Sequence, residues 1–178
     1  GSYDDKGTLI KCNPSIKKKD DREALIKALN DGKLDVIATD HAPHTLDEKS
    51  ANYLEAPAGM PLVQHALQIL FDLAHRGEIS YELIVDRACH APADLFGVKD
   101  RGYLREGYYA DMVIVNTKKP YTVSRENILY KCKWSPFEGH TFSSSIQTTI
   151  VNGDIVFNNG LLSDSIPGKK LSFNRSRF

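Results

Sequence analysis

A short apolar segment, followed at once by aspartate and histidine, limits the fold of this 178-residue chain more than any other feature. Residues 34–39 are largely apolar, which is typical of a strand buried in a parallel sheet. A helix with an apolar stripe is predicted over 20–30, and a first short strand is predicted before it, over 7–12. This order predicts two strands joined by a helix, with the polar residues 40–44 at the carboxyl end of the second strand. Barrels built from such units carry their active sites at that end.

The polar residues at the two strand ends allow more than one interpretation. Asp40, His41 and His44 offer carboxylate and imidazole groups, which are good ligands for Zn²⁺. The same Asp-His-x-Pro pattern also fits a turn in which Asp40 caps backbone amides. Asn13 follows the first predicted strand in the equivalent place, where an amide can donate to a substrate carbonyl or carboxylate, although Asn-Pro also occurs in plain turns. The remaining four histidines are interpreted as surface, packing or capping residues: His65, His75, His90 and His140.

The sequence pattern changes near residue 100. Apolar residues at helical spacing predict three helices before that point: 61–76, 80–89 and 92–96. Three short strands are predicted after it: 111–115, 147–151 and 154–157. Asn152-Gly153 suits a two-residue type I′ turn between the last two strands. We therefore predict an α/β region with C-terminal helices, a small β-domain and a short basic tail, over 1–100, 101–165 and 166–178.

Charge and composition exclude several classes of function. The chain has 23 basic and 23 acidic residues, a net charge of 23 − 23 = 0, so it has no overall field to attract nucleic acid or an anionic membrane. No apolar run approaches the roughly 18 residues that span a bilayer, and the N-terminus shows no signal-peptide segment. The three cysteines are odd in number, widely spaced and without a CxxC pair, which favours a reducing, cytoplasmic location over a disulfide framework.

Six motifs together resemble one known family. The segment Leu34–His44, LDVIATDHAPH, closely resembles the last barrel strand of dihydroorotases, which belong to the cyclic amidohydrolase superfamily. Residues 11–14 resemble the K-x-N-P segment of the preceding strand. Residues 55–60 resemble the glycine loop over the substrate, with Ala58 where many relatives have a bulkier residue. Three later segments match motifs of the second half of the superfamily: 107–114, 134–139 and 149–153.

The resemblance implies a fold and an activity. The expected fold is the C-terminal part of a TIM-type (β/α)₈ metal-dependent hydrolase barrel plus the later part of a small β-sandwich domain. The expected activity is zinc-dependent, reversible hydrolysis of dihydroorotate to N-carbamoyl-aspartate in pyrimidine synthesis. Asp40 matches a metal ligand that also shuttles a proton, His44 matches a residue that binds the substrate carboxylate, and Asn13 matches one that binds the ring or carbamoyl group. Ala58 and Gly59 match a pair that contacts the substrate through the backbone, whereas His41 matches the motif without a metal role.

The chain also departs from the family pattern. Relatives take further metal ligands from earlier strands: an H-x-H pair, a bridging acidic or carboxylated residue and two more histidines. A full barrel needs about 250 residues, so we interpret the chain as a fragment that is inactive alone and prone to self-association. The expected partners are a small-molecule substrate and further copies of the protein, without nucleic acid or membrane. Two alternatives stay open: another cyclic amidohydrolase, such as an allantoinase or dihydropyrimidinase, and an inactive scaffold subunit, which would be expected to lose Asp40.

Overall fold

The computed structural model describes residues 2–164 and 168–174. In the part of the predicted basic tail that it describes, Lys169 and Lys170 are exposed, while Arg175 and Arg177 lie outside the described residues. The regular elements of the described residues before residue 100 are all helical. They are α1 (Ser2–Lys6), a 3-10 helix (Gly7–Ile10), α2 (Lys19–Asn30), α3 (Leu46–Lys49), a 3-10 helix (Val63–His65), α4 (Ala66–His75), α5 (Tyr81–Val85), a π-helical turn (Asp86–His90) and α6 (Ala91–Leu95).

Local sequence explains where the longer helices begin and end. The α2 helix begins after Lys18, whose backbone N–H donates to the Asp21 carboxylate at 3.0 Å. The Ser80 hydroxyl accepts the backbone N–H of Leu83 at 3.0 Å and caps α5, at the start of the helix predicted over 80–89. Gly97 ends α6 with φ of +62°, a conformation that favours glycine. The helices bury one apolar cluster, formed by Leu29, Leu70, Ile79 and Ile84.

The prediction of two barrel strands, over 7–12 and 34–39, is wrong for this structure. Residues 7–10 form a 3-10 helix instead, and residues 34–39 form no regular element. The latter segment has one backbone hydrogen bond to another part of the chain, from Ile37 N–H to the Arg87 carbonyl at 3.0 Å. A strand is stabilised by ladder hydrogen bonds to a neighbour, and the described residues offer no strand beside either segment. The predicted parallel barrel sheet is therefore not formed by the described part of residues 1–100.

The second half is rich in antiparallel strands. They are β1 (Met112–Asn116), β2 (Tyr121–Thr122), β3 (Thr141–Phe142), β4 (Ser145–Val151), β5 (Asp154–Asn158) and β6 (Leu161–Leu162), with a 3-10 helix at Arg125–Asn127. Four of them form a sheet in the order β1-β4-β5-β6, and β2 pairs with β3. Asn152 and Gly153 have φ of +55° and +92° and connect β4 to β5, as the predicted hairpin turn requires. The core of this half contains Val123, Ile128, Tyr130 and Phe142.

Polar contacts attach the α4 region to the β-rich half. The Asp72 carboxylate accepts hydrogen bonds from the backbone N–H and the hydroxyl of Ser143, at 2.8 and 2.6 Å. The Gln64 side chain donates to the Asn127 carbonyl and accepts the Leu129 N–H, both at 2.8 Å. The two halves are therefore packed together rather than joined by a loose linker. No helix among the described residues is long and apolar enough to cross a membrane.

Candidate functional site

Three of the sequence motifs meet through their backbones. The Gly59 N–H donates to the Lys11 carbonyl at 2.8 Å, which attaches the 55–60 loop to the segment that leads to Asn13. The Ala42 N–H donates to the Met60 carbonyl at 3.1 Å, and His41 and Met60 form a parallel bridge. The loop therefore lies against both polar segments that the sequence analysis selected.

Gly59 is the point of closest approach in this arrangement. Its φ is +141°, and a Cβ placed there would lie 2.4 Å from the Ala42 oxygen and 3.2 Å from the His44 ring. Any side chain would therefore collide with residues 42–44 in a backbone conformation that L-residues rarely adopt. Gly59 is buried, whereas its neighbour Ala58 is exposed at the surface of the loop.

Asp40 and Asn13 are both exposed where their segments end. Asp40 has φ of +47°, in the left-handed region that aspartate tolerates better than most residues. Asn13 follows Lys11 by two residues and is joined to Pro14 by a cis peptide bond. Exposure leaves both polar side chains accessible to a ligand.

His44 is held by contacts on two sides. The indole N–H of Trp134 donates to the His44 carbonyl at 2.7 Å, so a residue of the β-rich half fixes the backbone that carries this imidazole. The His44 Nδ1 lies 3.8 Å from a carboxylate oxygen of Glu48. That carboxylate also accepts the Thr45 N–H at 2.7 Å, and the hydrogen bonds from Thr45 lower the pKa of Glu48. His44 therefore faces a carboxylate that stays ionised near neutral pH.

His41 has a structural role. Its Nδ1 accepts the backbone N–H of Leu62 at 3.0 Å and that of Val63 at 3.3 Å, where the helical segment leading into α4 begins. Its ring also stacks on Tyr130, with ring centroids 5.4 Å apart. The Nδ1 of His41 is therefore occupied by two backbone N–H groups of the segment that leads into α4.

The described residues do not build a zinc site on their own. They contain no group of three or more histidine, cysteine, aspartate or glutamate side chains that could surround a metal ion. Structural and catalytic zinc sites use at least three protein ligands. Asp40, the metal ligand expected from the family resemblance, lies near the loop as an exposed carboxylate, and the Nδ1 of His41 is engaged with backbone amides.

Sequence reasoning missed two residues that organise this region, Lys49 and Trp134. Lys49 is completely buried, and its ammonium group donates to carbonyl oxygens of the 55–60 loop. Trp134 is 2% exposed and lies in the segment 134–139, which in the sequence is only a family motif of the second half. A lysine in the polar run around α3 carries no local sign of burial. The contact of Trp134 with His44 is likewise not predictable from the sequence, because the two residues lie 90 positions apart.

Comparisons with known proteins identify the relatives of this arrangement. The model of the Amidohydrolase family matches residues 6–156. A dihydroorotase of Halobacterium salinarum is 42% identical over 158 residues, which cover 86% of this chain and 37% of that protein. A dihydroorotase of Clostridium acetobutylicum is 41% identical, with 85% of this chain and 36% of that protein covered. Among solved structures, an L-hydantoinase (dihydropyrimidinase) from Arthrobacter aurescens has a TM-score of 0.85 at 25% identity, and covers 92% of this chain and 37% of that one. The chain thus spans little more than a third of the length of the proteins it matches.

Proposed function

This chain belongs to the amidohydrolase family, and we propose that it is the C-terminal portion of a dihydroorotase. The observation that carries the proposal is the meeting of the three motifs: Gly59 bonds to Lys11, and Met60 bonds to Ala42. The relatives named dihydroorotase match 86% and 85% of this chain, and they favour dihydroorotate over the other cyclic amides that the family hydrolyses. The proposed reaction is hydrolysis of dihydroorotate to N-carbamoyl-aspartate, and its reverse, in pyrimidine synthesis.

The proposal gives each candidate residue a task that its position allows. Asn13 and His44 would bind the polar groups of the substrate, with His44 at the carboxylate. Ala58 is exposed on the loop and would contact the substrate through its backbone. The Gly59 N–H is already donated to Lys11, and the Gly59 carbonyl, which accepts from Lys49, keeps a second lone pair for a substrate N–H. The Ala58 backbone and the Gly59 carbonyl would then bind substrate at a fixed distance from His44.

Asp40 is the proposed catalytic residue. An exposed carboxylate beside the bound ring can accept a proton from the attacking water and return it to the amide nitrogen that leaves. We also propose that the complete protein depends on zinc, with Asp40 as one ligand. The other ligands would come from outside this chain, since the described residues do not supply them. Cytoplasmic location and homo-oligomerisation remain predictions of the same proposal.

The test is an assay of the complete protein with dihydroorotate and with N-carbamoyl-aspartate. We expect turnover in both directions and a fall of about 10³ or more for Asp40→Asn, which keeps the shape and removes the proton acceptor. Asp35→Asn, at an exposed position of the same segment, is the matched control and should keep full activity. The 178-residue chain alone should be inactive. Activity of Asp40→Asn within tenfold of the wild type would contradict the assignment.

A hydantoinase or dihydropyrimidinase is the second candidate, because the solved L-hydantoinase structure resembles this chain closely in fold. The two activities differ in substrate charge: dihydroorotate carries a carboxylate, and an unsubstituted hydantoin or dihydropyrimidine does not. The presence of His44 and Asn13 in their motifs favours the charged substrate. Parallel assays with dihydroorotate and dihydrouracil decide between them, since preference for dihydrouracil would overturn the first candidate. Failure to turn over either substrate would contradict both enzymatic candidates.

A further inference from the structure

Lys49 is a buried cation without a carboxylate partner among the described residues. Its exposed fraction is 0%. Its ammonium group donates to the carbonyl oxygens of Lys11 at 3.2 Å, Pro57 at 2.9 Å and Gly59 at 2.9 Å. An ammonium group has three N–H donors, so these three carbonyls use all of them. Two of the three acceptors lie in the 55–60 loop.

The surroundings of Lys49 show why the loop depends on it. Burial, followed by the nearby charge of Lys11, lowers the pKa of Lys49, so the environment disfavours the charge that makes the bonds. The cost of burying that charge is offset only by its hydrogen bonds to carbonyl oxygens. Its own carbonyl accepts the Thr8 hydroxyl, which ties the end of α3 to the 3-10 helix at Gly7–Ile10. Lys49 thus connects the loop to two neighbouring elements.

Lys11 holds the other end of the same loop. Its ammonium group donates to the carbonyls of Tyr53 and Ala56, both at 2.6 Å. Unlike Lys49, Lys11 reaches the loop from a partly exposed position. The loop contains no regular secondary structure over 56–59, so its carbonyl groups have no ladder partners within it. Loss of Lys49 would leave the Pro57 and Gly59 carbonyls without their buried donor, and the loop would have to open to reach water.

We propose that Lys49 is a positioning residue that fixes the substrate-facing loop. It does not touch the substrate; it holds Pro57 and Gly59 so that Ala58 stays beside residues 40–44. The loop-anchoring part of this inference rests on the contacts alone. Its effect on substrate binding rests on the proposed function.

The first measurement needs no activity. Hydrogen exchange of the amides at 58–60 is compared between the complete wild-type protein and its Lys49→Met variant, which keeps the length and apolar stem of the side chain. Local opening should accelerate exchange at these amides about tenfold or more, with exchange in α4 unchanged. Lys27→Met, at a largely exposed lysine of α2, is the matched control and should leave the loop unchanged. Unchanged exchange at 58–60 in Lys49→Met would overturn the proposal.

The second measurement separates positioning from general destabilisation. In the complete protein, Lys49→Met should raise KM for dihydroorotate about tenfold and lower kcat less than threefold, because the loop binds substrate and Asp40 remains in place. A fall in kcat with unchanged KM would show only a smaller folded fraction and would overturn the proposal. If Lys49→Met does not fold, Lys49→Gln, which keeps N–H donors on a shorter stem, is judged by the same criteria. If the wild type does not turn over dihydroorotate, the proposed function fails while hydrogen exchange still decides the role of Lys49.

Discussion

His65 should make the stability of this protein depend on pH between 7 and 5. The side chain is 0% exposed, and burial lowers its pKa from 6.5 to about 4. Its ring is surrounded by aromatic rings at centroid distances of 5.7–6.4 Å: Tyr121, Tyr130, Phe137 and Phe142. Its Nδ1 lies 3.4 Å from the Ser135 hydroxyl, and its Nε2 has no partner among the described residues. No described residue around the ring supplies a negative charge that would compensate a positive charge on it.

The pKa values of His65 in the unfolded and the folded protein set the direction and the size of this change in stability with pH. Because the pKa is lower in the folded protein, the unfolded chain takes up the proton first as the pH falls. The contribution to stability is therefore complete above pH 6.5 and is lost progressively as the pH falls towards 4. Integrating between these pKa values gives a loss of about 2 kcal/mol from pH 7 to pH 5 for this one residue. Most carboxylates titrate below this range.

The assay is chemical unfolding at pH 7 and pH 5, followed by the fluorescence of Trp134, the single tryptophan, which is 2% exposed and adjacent to Ser135. His65→Gln removes the titrating group and keeps a polar side chain that can reach Ser135. From pH 7 to pH 5, the free energy of unfolding of the wild type should therefore fall by about 2 kcal/mol more than that of His65→Gln. His75→Gln, at the exposed end of α4, is the control and should behave as the wild type does. Equal losses in the wild type and His65→Gln would refute the reasoning.

Two further predictions concern the substrate loop and its surroundings in the complete protein. His44→Ala and Asn13→Ala should each raise KM for dihydroorotate about 10- to 100-fold, the cost of one hydrogen bond to a charged ligand, and metal analysis should find the metal content unchanged. Loss of metal in His44→Ala would make His44 a ligand instead. Gly59→Ala should lower kcat/KM by about 100-fold, because its Cβ would lie 2.4 Å from the Ala42 oxygen and must displace the loop. Gly107→Ala, where φ is also positive but no atom lies within 4 Å of the added Cβ, should keep the wild-type kcat/KM, and equal kinetics for both variants would contradict the packing argument.

Elements set by short-range chemistry were predictable from the sequence. The helix that begins after Ser80, the helix that becomes α4 and the Asn152-Gly153 hairpin all depend on residues within a few positions of one another. The motifs also selected the segments that meet at the site, since Gly59 and Lys11 proved to be bonded neighbours.

Features that depend on distant partners were not predictable in this way. The apolar content of 7–12 and 34–39 fits a strand, but strand formation requires a neighbour that the described residues do not supply. The sequence indicates a surface or packing role for His65, and nothing in its sequence neighbourhood reveals that four rings from the second half bury it. The burial of Lys49 is equally invisible, because its acceptors are backbone carbonyls, which every residue possesses.

The hydrogen bond from Trp134 to the His44 carbonyl has a consequence for exchanging parts between relatives. The donor and the acceptor lie 90 positions apart, one in the β-rich half and one in the polar segment of the first half. A chimera that joins the first half of one homologue to the second half of another would bring together two surfaces whose side chains need not match. Such a hybrid should recover substrate recognition only where the incoming half supplies an indole at this place. The secondary structure changes from helices to strands near residue 100, but the two halves cannot be exchanged independently at that point.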